Sequence, residues 1–571
     1  MWGVVLCLAA VALADDVKPF KVVKTASGAV RGYQDPTSGV YEFIDIPYAT
    51  APTGPHKFKA PLPAPVWLQT RDAIDHGIMC PQASMQGVDL NRTINEDCLL
   101  ASVFSPDFTE KKLPVIVYVH GGAFQIGYGN MIKPLDLVKE HNIVAVTFNY
   151  RLGAHGFLCL GTEDIPGNAG MKDQVALLRW VKKNIGYFGG NPEDVTIAGY
   201  SAGSVSVDLL MLSKSAKGLF KKVIPESGAN NAVFSIQSNP LENAKWFGNL
   251  LKFKDVDNIQ ALDIFFKTLS FEQLTSENVW DRTDSSLIFS PCIERPLSDL
   301  ERANGKSIFL DESPIEILKK GKFKKVPLLY GFANMEGLVR VGFFEIWKEK
   351  MNEKFSDFLP GDLVFDTEEN KKEVVAKTVK EFYFGKKSVD NDTILAYVDY
   401  FSDILFKYPM LRAVKLQVEN GHDQIYLYEY SFVDEESVVV PHINVRGAEH
   451  CAQTMAVFKR PTLAGIATKL TAEYIKSSAT IRQIWANFIK TGKPVPEGSG
   501  LPAWPAVSGR WSPHMSLGNE LQLKGSLLLE RALFWDDIYS KYYREPVTPP
   551  AKMYYIVKYL EMLLLNRLRK N

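Results

Sequence analysis

Between Val115 and Gly203, runs of β-forming residues alternate with a helical stretch, and this alternation constrains the fold more than any other feature of the chain. Val115-Ile-Val-Tyr-Val119 and Ile143-Val-Ala-Val-Thr-Phe148 are continuous β-formers, as expected of strands buried on both faces. From Asp173 to Ile185 apolar residues recur at helical spacing, with Lys182 and Lys183 near the end, where cations suit the helix dipole. Val195–Ala198 is another short strand, and Val326–Tyr330 and Gln424–Tyr428 follow later. Strands alternating with helices predict an α/β domain with a mainly parallel sheet. The Pro- and Gly-rich stretch Lys493–Gly509 reads as a loop inside that domain, because Trp504 and Trp535 call for packed structure.

The 571 residues carry 65 Lys plus Arg against 65 Asp plus Glu, a formal net charge of zero. A nucleic-acid binder shows a basic excess, so nucleic acid is not expected as a partner. No apolar run reaches the roughly 18 residues that a membrane span needs. Residues 1–14 are apolar and uncharged, end in Ala12-Leu13-Ala14 and precede Asp15-Asp16. That pattern predicts a signal peptide and a secreted, extracellular protein. Beyond Cys7 there are five cysteines, an odd number that cannot all pair within one chain. Cys80 and Cys98 bound a short loop. Cys159, Cys292 and Cys451 have no near partner and are expected to be buried free thiols rather than metal ligands, since neither C-x-x-C nor H-E-x-x-H spacing occurs. Asn91-Arg-Thr and Asn391-Asp-Thr match the N-glycosylation pattern and predict exposed positions.

Gly199-Tyr200-Ser201-Ala202-Gly203 fits G-x-S-x-G once in the chain. A strand precedes it and Ser204–Leu212 can continue as a helix, so Ser201 falls on a strained strand-to-helix turn that projects its hydroxyl. A serine nucleophile needs donors for the oxyanion it creates. His120-Gly121-Gly122-Ala123-Phe124 follows directly after a strand, and the N–H groups of Gly122, Ala123 and Ala202 would supply three. The segment fits no phosphate-binding spacing. A histidine base oriented by a carboxylate completes the set, in the chain order serine, acid, histidine. Glu336 follows the strand Val326–Tyr330, which places it at a strand end. His422, His442, His450 and His514 lie downstream, and periodicity does not choose among them.

Phe188 to Gly203 (FGGNPEDVTIAGYSAG) resembles the full active-site signature of the type-B carboxylesterase/cholinesterase family, and Glu96-Asp97-Cys98-Leu99 resembles its second signature, although Leu100-Ala101 departs from the usual continuation. Asn149-Tyr-Arg-Leu-Gly153, Gly167-Asn-Ala-Gly170, Glu226-Ser-Gly228 and Trp485-Ala-Asn-Phe488 are similar to further landmarks. The resemblance covers about residues 20–540. It implies an α/β-hydrolase fold over 15–540, Ser201 as nucleophile and Glu336 as acid. Gly447-Ala-Glu-His450 matches the family's histidine loop and selects His450. A Cys80–Cys98 disulfide and a small-molecule ester substrate are also implied, and no metal or organic cofactor is needed.

Departures narrow the branch. Residues 81–97 lack the choline-binding tryptophan of cholinesterases, so a cationic ester would lose its cation–π partner. Juvenile hormone esterases usually carry Gln before the nucleophile, an acidic residue three after the histidine, and Arg-Phe where this chain has Lys57-Phe58. Here the first two positions are Tyr200 and Gln453. The chain looks most like an insect secreted or antennal carboxylesterase, with juvenile hormone esterase as the alternative. A non-catalytic adhesion protein on the same fold is disfavoured by the intact Ser, Glu and His. Residues 541–571 read as an extension. Within it Ile556, Leu560, Leu563 and Leu564 share one helical face, expected to pack on its own domain in a monomer, with a dimer-forming or membrane-surface helix as the alternatives.

Overall fold

The valine-rich run around Val117 becomes the strand Leu113–Val119, and its side chains divide between two cores. Val115, Val117 and Val119 enter one, Ile116 and Tyr118 the other, as the two-residue period of a strand covered on both faces requires. The computed structural model describes residues 19–83, 92–107, 112–277, 279, 282–299, 307–365, 370–459 and 470–550. The leader (1–14), Asn91 and the apolar face from Ile556 to Leu564 lie outside the described residues.

Leu113–Val119 is the hinge of the topology. It pairs in parallel with Val144–Phe148 on one side and with Gly190–Tyr200 on the other, so the chain crosses over it between these strands. Beyond Gly190–Tyr200 the sheet continues in parallel through Lys222–Glu226, Leu328–Ala333, Ile425–Tyr430 and His514–Leu517, and Leu521–Lys524 closes it antiparallel. Beyond Val144–Phe148 it runs antiparallel through Leu100–Ser105, Tyr41–Pro47, Gly28–Gln34 and Phe20–Thr25. Helices Ala169–Asn184 and Ala202–Leu212 cover one face, and Ala472–Thr491 covers the other. The predicted strands and the helix appear, each extended or shifted by a few residues. Residues 493–509 form the expected loop, with Trp504 and Trp535 buried.

The register brings the strand ends level: Val119 faces Gly199, Tyr200 faces Glu226, Glu226 faces Gly331, and Gly331 faces Tyr428. In open α/β sheets the crevice beyond such carboxyl ends, where the strand order reverses, is where ligands bind. The loops that leave these ends are His120–Phe124, Ser201, Ser227 and Glu336.

Cys80 and Cys98 are joined. The expectation of a free Cys159 and Cys292 is wrong, because these two form a second disulfide. They lie 133 residues apart, a distance across which only the fold could pair them. Asn168 links the two segments, its amide donating to the Cys292 carbonyl and accepting from the Cys292 N–H, both at 2.8 Å. Among the described residues Cys451 alone is free, and it is buried as expected. Asn391 is exposed at the start of a short 3₁₀ turn.

Closing so long a loop restricts the unfolded chain strongly. Replacing Cys159 and Cys292 together by alanine is expected to lower the unfolding free energy by about 5 kcal/mol in a urea titration, the chain-entropy value for a loop of this length. A double variant as stable as the parent would contradict a closed bridge.

Candidate active site

Ser201 is the residue between the strand Gly190–Tyr200 and the helix Ala202–Leu212, and it holds φ 55 and ψ −124. For a residue with a Cβ that conformation costs of order 1–3 kcal/mol and persists only where its surroundings compel it. Two constraints are visible. The Ser201 N–H donates to the Glu226 carbonyl at 2.9 Å, which ties the turn to the neighbouring strand. The strand and helix meet at Gly199 and Gly203 so closely that a Cβ on Gly199 would stand 2.5 Å from the Gly203 carbonyl carbon. The G-x-S-x-G spacing is thus a steric condition for the turn.

His120–Phe124 lies beside it. A Cβ on Gly121 would come within 3.0 Å of the Ser201 Cβ. Gly122, Ala123 and Phe124 all have positive φ (106, 52 and 61), and the last two are strained for non-glycine residues. Among the described residues the N–H groups of Gly122, Ala123 and Ala202 have no acceptor; Ala202 follows the serine directly, and Gly122 and Ala123 follow the glycine that packs on it. His120 stacks on Tyr150 at 4.4 Å, and burial pushes its pKa down to about 4, so it stays neutral.

Glu336 is fully buried and three donors converge on it. Its Oε2 meets His450 Nδ1 at 2.5 Å, while Oε1 accepts from the Ala333 N–H at 2.7 Å and the Ser227 hydroxyl at 2.5 Å. The Gln453 amide donates to that hydroxyl at 2.6 Å. With Nδ1 engaged, Nε2 of His450 is the nitrogen free to take a proton. The Ser201 hydroxyl makes no hydrogen bond to the ring among the described residues; such contacts often close only when substrate binds. Of the other histidines, His442 is bound to Glu345 at 2.9 Å, and His422 lies between Gln417 and the Val326 carbonyl. His514 Nδ1 bonds the Gly525 carbonyl at 2.6 Å. The structure therefore joins only His450 to Glu336.

From the sequence Ser227, Gln453 and Glu226 take no part in the site, although all three fall in positions compared with the family. The first and last sit in the Glu226-Ser-Gly228 landmark, where their neighbours in space were not legible. Glu226 is a second buried carboxyl beside the first, bonded by Tyr428, Thr454 and, at 3.3 Å, the Trp485 indole. Burial pushes its pKa up to about 7, with the charge of Glu336 adding to the effect.

This fold and this serine, histidine and carboxylate set define an esterase of the α/β-hydrolase class. The chain belongs to the carboxylesterase family, whose family model matches residues 19–535, and it is a carboxylic-ester hydrolase. It is 32% identical over 507 residues to juvenile hormone esterase of Heliothis virescens, covering 85% of this chain and 87% of that one. Venom carboxylesterase-6 of Apis mellifera is 32% identical over 430 residues, covering 73% and 76%. The crystal structure of juvenile hormone esterase from Manduca sexta with OTFP covalently attached superposes with a TM-score of 0.81 at 29% identity, covering 91% of this chain and all of that one.

The raised pKa of Glu226 has a consequence for stability. Between its ordinary value of 4.5 and about 7 the folded chain holds this proton more firmly than the unfolded chain, so stability falls as pH rises through that window. In Glu226→Gln, which is neutral throughout, melting temperature is expected to decline less from about pH 5 to about pH 8 than in the parent. An equal decline in both would show that Glu226 is ionised across the range.

Proposed function

We propose that this esterase is secreted and cleaves small, uncharged esters, of the xenobiotic, odorant or lipid-like kind, through an acyl-enzyme formed on Ser201. The observation that carries the reading is the 2.5 Å contact of Glu336 with His450 Nδ1, together with a serine held in a strained turn. Ser201 Oγ attacks the ester carbonyl carbon while Nε2 of His450 takes its proton. Glu336 fixes the tautomer and faces the imidazolium that forms. The N–H groups of Gly122, Ala123 and Ala202 receive the oxyanion. His450 then returns the proton to the leaving alcohol, and water releases the acid by the same route. Secretion is supported by the apolar leader, the two disulfides and the venom relative.

Juvenile hormone esterase is the second reading, supported by the likeness to the Heliothis and Manduca enzymes. Tyr200, Gln453 and Lys57 stand against it. Gln453 donates an amide hydrogen to Ser227, which an ionised carboxylate at that position could not do. The Lys57 ammonium is committed to the carbonyls of Lys267 and Leu269 at 3.0 and 2.6 Å, and a planar guanidinium would meet that site differently.

Ser201→Ala is expected to lower turnover of a simple aryl ester at least about a thousandfold without unfolding the protein. His450→Gln should match it, whereas His422→Gln and His442→Gln keep most of the activity. An active Ser201→Ala, or an inactive His442→Gln, would overturn the assignment. A panel of esters varied in acyl and alcohol length, with a juvenile hormone among them, separates the two substrate readings by kcat/KM.

A further inference from the structure

The helix that begins at Ile394 does not run evenly to Glu419. Ile394–Ser402 and Tyr408–Glu419 flank five residues, Asp403–Lys407, wound as a π-helical turn. Pro409 explains a defect here, because it has no N–H to return to the preceding turn. Such turns recur at functional sites, where the extra residue re-aims the side chains that follow. All five residues of this turn are buried.

Its side chains engage both loops of the candidate site. The hydroxyl of Ser402, at the entry to the turn, accepts from the N–H of Gly337, next to Glu336, at 2.7 Å. A Cβ on Gly337 would stand 2.0 Å from the Val398 carbonyl oxygen, so the acid loop rests directly on this helix. Lys407 donates to the Asn334 carbonyl at 2.7 Å, two residues before Glu336, and Asn334 Oδ1 accepts from the N–H of Ala448 in the histidine loop at 3.0 Å. Between these anchors the ring of Phe406 stacks on His450, with centroids 4.2 Å apart and planes at 29°. Phe234 packs edge-on against Phe406 at 5.7 Å and backs it.

Charged groups approach His450 elsewhere. Glu336 binds Nδ1, Glu449 and the Cys451 thiol are its chain neighbours, and Glu226 lies behind Glu336. On the turn itself Asp403 is taken by Tyr383 at 2.6 Å and Arg531 at 3.2 Å, while Lys407 points to Asn334 and Glu429. What the turn offers the ring is therefore an aromatic face.

The geometry points to Phe406 as a positioning residue that acts through His450: its ring holds the imidazole against Glu336 and stabilises, with its negative face, the imidazolium formed when Nε2 takes the serine proton. The inference rests on the reading of His450 as base. The stabilisation exists only once the proton has moved, so it belongs in kcat rather than KM.

The test uses the full chain with Phe406 replaced by phenylalanines of increasing ring fluorination, which keep the shape and drain the negative face. Phe406→Leu and Phe406→Met are made alongside, with His450→Gln as control. Stepwise loss of kcat with fluorination, reaching about tenfold, at nearly constant KM and melting temperature is expected, with a loss at least as large in the Leu or Met variant. If kcat is indifferent to fluorination while His450→Gln is inactive, Phe406 is packing only and the proposal fails, even if Leu or Met is impaired. An active His450→Gln would instead overturn the reading on which the proposal rests.

Discussion

Ser201 holds a backbone conformation that residues with a side chain avoid, and much of the site follows from what keeps it there. The strand before it and the helix after it must touch, which the glycine pair at 199 and 203 permits. Its N–H is claimed by the end of the next strand, at Glu226. That bond carries the constraint across the sheet, because Glu226 faces Gly331 and the Ser227 N–H in turn binds the Gly331 carbonyl at 2.8 Å. Gly331 lies in the strand Leu328–Ala333, after which the chain reaches Glu336. Ser201 and Glu336 thus follow two strands of one parallel run, Gly190–Tyr200 and Leu328–Ala333, joined through Lys222–Glu226 between them.

Glu336 and His450, the proposed acid and base, depend on a second layer of contacts. Glu336 receives three donors and is left with little freedom to rotate. Ser227 is a shared joint, donating to Glu336 and accepting from Gln453 on the helix that follows His450. The two buried carboxyls differ in environment. Glu336 faces an imidazole, an amide N–H and a hydroxyl, whereas Glu226 meets two hydroxyls and an indole and keeps its proton up to about 7.

Much of this was legible in the sequence. Strands such as Val115–Val119 and Ile143–Phe148 announced themselves because burial on both faces leaves an unbroken apolar run. The elbow was legible because its steric demand falls on residues adjacent in the chain. The histidine was not legible from periodicity, and only the likeness of Gly447-Ala-Glu-His450 to a family loop selected it. Contacts between distant segments stayed hidden for the same physical reason. Nothing local in Cys159 or Cys292 betrays a partner 133 residues away. Nothing local to Phe406 specifies the extra residue in its turn, and a proline such as Pro409 does not by itself specify which side chain is re-aimed.

The central claim is that the strained residue at the end of the strand Gly190–Tyr200 is the one that becomes acylated. An ester hydrolase of this kind reacts covalently with an organophosphate at its nucleophile, so the direct measurement is to inactivate the protein with diisopropyl fluorophosphate and map the adduct by peptide mass spectrometry. The account predicts one adduct per chain, on Ser201, formed in step with loss of activity. Full inactivation with the adduct on another residue, or full modification of Ser201 with activity retained, would contradict it.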